Sequence, residues 1–185
     1  MAGACYDLAL YFDGDEMLAE TSQLSRDFVE LERDFIRDKL LPDFDYTTFE
    51  IATGHNKLAK KLSDARVGLV STCGLHLKSQ EPFTITSPQG DDSFRKIPLA
   101  SQEDDYQLSH PGYNTALVAQ DVNVVFPITR LKELLKEKFI SSLSPFAYTF
   151  MGYIPRPQKL MNETIPLIVE EFKNNQVDVV LLVPA

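Results

Sequence analysis

Apolar positions over residues 17–39 recur at helical spacing. Leu24, Phe28, Leu31 and Phe35 are separated by four, three and four residues and share one face, while Glu30, Arg33 and Asp34 take the other. Pro42 ends this helix. The apolar stripe can dock on the chain's own sheet or on a second subunit, and the pattern is compatible with either. Upstream, Leu8, Leu10 and Phe12 alternate as in a short strand before the turn at Asp13-Gly14-Asp15. Downstream, Tyr46, Phe49 and Ile51 suggest another strand, with Gly54 as a breaker. Residues 56–65, with Lys57, Lys60 and Lys61, predict a short basic helix whose lysines read most simply as a solvated face.

The pattern changes period at Arg66. Val67 to Thr72 form a near-continuous apolar run that breaks at Cys73-Gly74, as expected of a strand buried on both faces of a parallel sheet. A polar loop follows, carrying His76, Lys78 and Gln80 and closed by Pro82. Ligands of open α/β sheets collect beyond the carboxyl ends of such strands, so this loop is the first place to expect chemistry. Residues 84–112 are rich in turn formers and read as a long irregular connection, of the kind that serves as a lid or binding loop. Within them, Asp91, Asp92, Ser93 and Arg95 suggest a turn whose arginine is tied to a carboxylate. Asp121 to Pro127 form a short apolar piece, and Thr129 is placed to cap a helix over 130–139 with Leu131, Leu134 and Leu135 on one face. Residues 146–153 predict a second buried strand ended by Gly152 and Pro155. A helix over 160–174 turns Ile165, Ile168, Val169 and Phe172 inward, and 177–183 is the most hydrophobic run of the chain. Strands alternating with helices indicate βαβ units. The expected fold is α/β: a mostly parallel sheet with flanking helices, plus an N-terminal helical extension. Residues 1–64 form that extension, packed on the core, and 65–185 the α/β domain.

Composition narrows the partners. A chain of 185 residues suits one domain with a sizeable core, and 44% hydrophobic with 24% charged residues describes an ordinary globular protein. A net charge of −9 offers no basic footprint to nucleic acid or to an anionic membrane, so neither is expected as a partner. The sequence holds no run of apolar residues long enough to span a bilayer, and its first residues make a poor signal peptide. Two cysteines, Cys5 and Cys73, suggest no disulfide scaffold, and a cytoplasmic setting is expected.

Candidate chemistry gathers around Cys73, His76 and His110. An imidazole near Cys73 can lower the thiol pKa, although a lone strand-end cysteine is most often a small buried residue. Cys73 and His76 lack the further ligands of a metal site, and none is expected. His110, with Tyr113 and Asn114 close behind, suits either acid–base work or a structural turn. Asp121 and Asn123 can cap or bind, capping being the commoner use. The sequence contains no phosphate-binding glycine loop, dinucleotide fingerprint or nucleophile elbow.

In order, VGLVSTCGLHLKSQEPF, GDDSFRKIP, SHPGYN, DVNVVFPITRLKEL, SPFAYTFMGYI, ETIPLI and VDVVLLVPA resemble the selenoprotein B family of glycine, sarcosine and betaine reductases. The likeness is greatest to the smaller branch that includes the selenoprotein subunit of D-proline reductase, and it runs from about Ala65 to Ala185. The resemblance implies an oxidoreductase subunit that cleaves a carbon–nitrogen bond of a small amine or amino acid. It would work with other reductase subunits or as a homo-oligomer. A selenocysteine or redox cysteine is expected just beyond residue 185, after the last strand, with no cofactor in residues 1–185 themselves. The coding region is then expected to continue through a UGA codon; the alternative is a short binding or scaffold subunit whose redox group lies on another chain. On this reading His110 and Cys73 are the catalytic candidates. His76, Lys78, Tyr113, Asp121 and Asn123 line the substrate side, with Lys78 holding a carboxylate and His110 giving a proton to the leaving amine. Cys73 stands where the family pattern suggests a small apolar residue.

Overall fold

A computed structural model describes residues 14–46 and 57–185, with side chains from Asp27 onward. The strand expected over 5–12 and most of the one around Phe49 and Ile51 lie outside the described residues. The chain divides into two units, Met1–Ile51 and Ala52–Ala185.

In the first unit, helix α1 spans Gly14–Lys39. Arg37 Nε donates to the Phe44 carbonyl at 2.6 Å, which folds the chain back after the helix end. Tyr46 hydroxyl donates to Glu32, and Phe44 meets Tyr46 edge-on at 5.1 Å. Phe28, Leu31 and Phe35, the described part of the apolar stripe, are all exposed.

The second unit is built on strand β1, Arg66–Ser71. A strand has two edges, and β7 (Val179–Val183) runs parallel along all of one, from Val67↔Val179 to Ser71↔Val183. Two short strands share the other edge. Strand β5 (Ser142–Leu143) pairs at Arg66 and Val67, and β6 (Phe146–Thr149) pairs at Val70 and Ser71, both parallel. Beyond β6 lies β3 (Arg95–Pro98), the one antiparallel member of this sheet. A separate antiparallel ribbon joins β2 (Leu75–Leu77) to β4 (Tyr106–Leu108). The fold is α/β with a mostly parallel sheet, and β1 is its central strand.

Two packed layers cover the sheet. On one side Val67, Leu69, Cys73, Leu75 and Val183 pack with Val122, Phe126 and helix α3 (Ile128–Lys136), which follows the one-turn helix α2 (Thr115–Val118). On the other, Val70, Tyr148 and Phe150 pack under helix α4, Ile165–Asn174, which a π-helical turn at Leu160–Thr164 precedes. Tyr148 hydroxyl donates to Glu171 Oε2 at 2.6 Å, and Lys96 pairs with the same oxygen; both bonds hold the Glu171 carboxyl below its usual pKa. Gly68 lets α4 approach β1, since a Cβ there would sit 2.7 Å from the Phe172 ring. Gly68→Ala is therefore expected to cost about 1–3 kcal/mol in urea unfolding, and Phe172→Leu in the same chain should recover part of the loss.

Several elements depart from the sequence pattern. Residues 57–65 form no basic helix: the regular structure there is a single 3₁₀ turn, Leu62–Asp64, and Lys60 pairs with Asp178 at 2.9 Å. The stretch expected to be irregular contributes β3 and β4. Helix α3 begins at Ile128, and its buried face is Ile128 and Leu131 with half-buried Leu135, while Leu134 is exposed. Thr129 lies inside that helix and donates its hydroxyl to Glu103 rather than capping. From the π-helical turn into α4, Thr164, Ile168 and Phe172 form the buried row at four-residue spacing, leaving Ile165 and Val169 exposed. Arg95 is held mainly by carbonyls, those of Glu81 (2.7 Å) and Pro82 (3.3 Å), and by Ser93 Oγ (2.8 Å). Asp91 accepts from Ser93 N–H at 2.9 Å and feels the Arg95 charge, so the arginine is tied to that carboxylate by charge and through Ser93 rather than by a direct hydrogen bond.

Candidate active site at the carboxyl edge of the sheet

The carboxyl ends of β1, β6 and β7 meet where Thr72, Gly152 and Ala185 come together. Thr72 N–H donates to Val183 O at 3.1 Å, and Ala185 N–H donates back to Thr72 Oγ1 at 2.9 Å. This exchange ties the residues after β7 against those after β1. Gly152, two residues past Phe150, adopts φ of +92°, a conformation that favours glycine. A Cβ on it would lie 2.9 Å from Thr72 O and 3.0 Å from His110 Nε2. The imidazole therefore approaches the sheet edge through a gap that only glycine leaves.

His110 is set by local bonds. Its Nδ1 accepts the Gly112 N–H at 3.0 Å, so in the neutral ring the proton sits on Nε2. That Nε2 is shielded from solvent and has no hydrogen-bond partner. A buried donor left unpaired is costly, and such an atom in a native fold is a strong pointer to a missing acceptor. Tyr113 stacks on the ring at 4.3 Å and 22°, and its hydroxyl donates to the Cys73 carbonyl. Burial lowers the His110 pKa and raises that of Tyr113, so both groups are neutral near pH 7. The arrangement offers an uncharged, oriented N–H donor at the carboxyl edge of a parallel sheet.

The structure sorts the other sequence candidates by distance from this point. Cys73 is 0% exposed, and burial pushes its thiol pKa up, so the side chain is part of the core rather than of the edge. His76 is 1% exposed and turns to the opposite side of the chain, toward Ser109. Lys78 is exposed at the far end of β2, where its N–H donates to Asp105 O. Asp121 and Asn123 form a cap: Asp121 Oδ1 accepts from Asn123 N (3.0 Å) and Nδ2 (3.1 Å), and Asn123 Oδ1 accepts from Thr129 N in the first turn of α3 (3.0 Å). The bonds from Asn123 hold the Asp121 carboxyl below its usual pKa. Asn123→Ala should destabilise the protein by about 0.5–2 kcal/mol in thermal or urea unfolding, the range for loss of a helix cap. Of the candidates, His110 and Tyr113 are brought together, with His110 beside Gly152 and Tyr113 on the Cys73 carbonyl. The glycine pair at 74 and 152 reads in the sequence as strand breakers; the edge geometry shows that each also makes room for a neighbour.

Residues 32–185 match the family described as glycine/sarcosine/betaine reductase selenoprotein B. The chain belongs to that family. The matched region starts well upstream of Ala65, so the C-terminal part of α1 lies within it. The chain is also 39% identical over 125 residues to D-proline reductase subunit gamma of Acetoanaerobium sticklandii. That alignment covers 68% of this chain and 50% of the relative, so the chain spans about half the length of the curated protein it matches. The family and the D-proline reductase branch indicated by the sequence motifs are the ones these matches support. No solved structure gives a significant match. Among the described residues, no helix is long and apolar enough to cross a membrane, and no group of three or more His, Cys, Asp or Glu is placed to hold a metal ion.

Proposed function

We propose that this chain supplies the substrate side of a selenol- or thiol-dependent reductase that cleaves a carbon–nitrogen bond of an amino acid or amine, with D-proline the first substrate to test and glycine, sarcosine and betaine the others. The observation that carries this reading is the unpaired, buried Nε2–H of His110, held beside Gly152, which in turn abuts Thr72, in a chain of this reductase family. Breaking a carbon–nitrogen bond reductively consumes two electrons and two protons. The family's selenol or thiol supplies the electrons and is itself oxidised to a selenide–sulfide or disulfide, which a dithiol must reduce again.

The chain's own residues do three things in this scheme. The Thr72–Ala185 bond fixes the strand ends against each other. Gly152 leaves the gap into which the imidazole edge projects. His110 offers its Nε2–H as a hydrogen bond to the nitrogen that departs and stays neutral, held in one tautomer by Gly112, while the proton that nitrogen takes comes from the selenol or thiol or from water. Cys73 takes no part, because a fully buried, protonated thiol is a poor nucleophile.

The burial of Cys73 also favours a second reading, in which the chain binds substrate or another subunit while the redox group sits on a separate polypeptide. Exposed apolar residues on β7, with Leu182 70% exposed, suit such a subunit contact. A side-chain NMR titration tests whether substrate meets this chain at all. Saturating D-proline is expected to shift the His110 ring resonances in a saturable way. If none of the four substrates moves them, the substrate side lies elsewhere and the scaffold reading replaces this one.

A further inference from the structure

His76 and Ser109 are not used by the reading above, and they face away from it. In the extended segment after β4, consecutive side chains point to opposite sides: His110 toward Gly152, Ser109 toward His76. His76 Nδ1 lies 3.0 Å from the Leu77 carbonyl oxygen, which can only accept, so Nδ1 carries the ring proton. In the neutral ring Nε2 is then a bare acceptor. It sits 2.9 Å from Ser109 Oγ, whose hydroxyl donates to it. A hydroxyl whose proton points at a base, with the base oriented from behind by a third group, is the general form of an activated serine.

The pair also has somewhere to work. His76 and Ser109 both line a cavity of about 540 Å³ whose other walls include Tyr106, Leu108, Gln107 and Val122. That volume is in the range of small-molecule sites. No Lys or Arg lines it, and its one charged wall residue is Glu103, so it suits an uncharged acyl group better than an anion.

We propose that Ser109 and His76 form a nucleophile–base pair that takes an acyl group from a small uncharged ester. Ser109 Oγ attacks the carbonyl carbon as its proton passes to His76 Nε2. The carbon–oxygen bond to the alcohol then breaks, and His76 returns the proton to the departing alkoxide. Water repeats the sequence on the acyl-serine and releases the carboxylic acid. No electrons are exchanged, so the step is independent of the reductase chemistry at the other face.

The test exposes the full chain to p-nitrophenyl acetate and follows p-nitrophenol release together with peptide mass mapping. One acetyl group is expected on Ser109. Ser109→Ala should abolish it, and His76→Gln should slow it about 10²-fold, the low end for loss of a general base. Because His76→Gln removes a buried group and can unfold the protein, a second variant keeps the imidazole. In Ser109→Cys the introduced thiol should alkylate with iodoacetamide with a midpoint well below the ordinary thiol value of about 8.5. Acetylation spread over many hydroxyls, or a thiol at that position titrating at its ordinary value, would mean that the serine merely satisfies a core histidine, and the proposal would fall.

Discussion

Gly74→Ala is expected to leave most of the protein unfolded. The residue adopts φ of +65°, and a Cβ there would lie 2.1 Å from the Ser109 carbonyl oxygen, a backbone atom with little freedom to move. The left-handed conformation alone costs a non-glycine residue about 1–2 kcal/mol. Relieving the clash also means pulling β2 from β4, because Ser109 N–H donates to Gly74 O at 2.9 Å and Gly74 N–H donates to Phe150 O at 2.6 Å. The sum should reach about 4 kcal/mol or more, an exceptional value for one methyl group and a large share of a domain's stability. Urea unfolding monitored by circular dichroism checks it. Gly112→Ala makes the comparison informative, since its Cβ would meet only the His110 ring, 2.9 Å from Cε1. That variant should fold nearly as well as the parent and disturb the site instead. Equal stability of the two variants would show that the Gly74 crossing is not a structural constraint.

His110→Ala is expected to lower carbon–nitrogen cleavage by the assembled reductase about 10²-fold, the low end for loss of one oriented hydrogen-bond donor that acts in the transition state. Since the role assigned is donation to a departing nitrogen, the loss should fall on kcat, with KM little changed. The pH dependence separates a neutral donor from an imidazolium acid. Burial lowers the His110 pKa, so the neutral form is the folded protein's preferred one from above the ordinary value of about 6.5 down to the lowered value. Activity that depends on neutral His110 should hold through pH 6.5 and fall only below the lowered value, and an imidazolium acid would give rising activity over the same interval. The stability linked to this histidine follows the same sign. It is fully present above about pH 6.5 and is lost as the pH falls from there through the folded value, because the unfolded chain then binds a proton that the native chain resists. Measuring unfolding free energy at pH 7.5 and pH 5.5 for the parent and for His110→Gln should show a smaller decline in the variant.

The sheet was the legible part of the sequence. Val67–Val70 is a continuous apolar run because β1 is covered on both faces, and burial of that kind leaves its mark residue by residue; Val179–Val183 is equally apolar and pairs with β1 from Val67 to Ser71, yet Val180, Leu181 and Leu182 are exposed. Strands β3 and β4 left no such mark. Arg95-Lys96-Ile97-Pro98 and Tyr106-Gln107-Leu108 are short and half-exposed, and their extended form is set by pairing with β6 and β2, partners distant in sequence. Helical faces depend on distant partners in the same way. Ile165 and Val169 outrank Thr164 in hydrophobicity, yet the approach of Phe172 to Gly68 sets the helix face, so Ile168 and Phe172 pack with Tyr148 and Phe150 while Ile165 and Val169 are exposed. Among site residues, His110 and Tyr113 were visible as a close pair of polar rings. Their separation from His76 was not, because it depends on Ser109 and His110 leaving β4 on opposite sides. The burial of Cys73 has its signal in its neighbours: Leu69 before it and Leu75 after it are apolar and share its core layer.

The most direct test of the reductase reading is to assemble the complete reductase with and without this chain and to supply D-proline and a dithiol. With the chain present, ring opening to the linear amino acid is expected in step with dithiol oxidation, and omission of the chain should abolish both. Undiminished ring opening without the chain, or dithiol oxidation that is never accompanied by carbon–nitrogen cleavage on any of the four substrates, would contradict it.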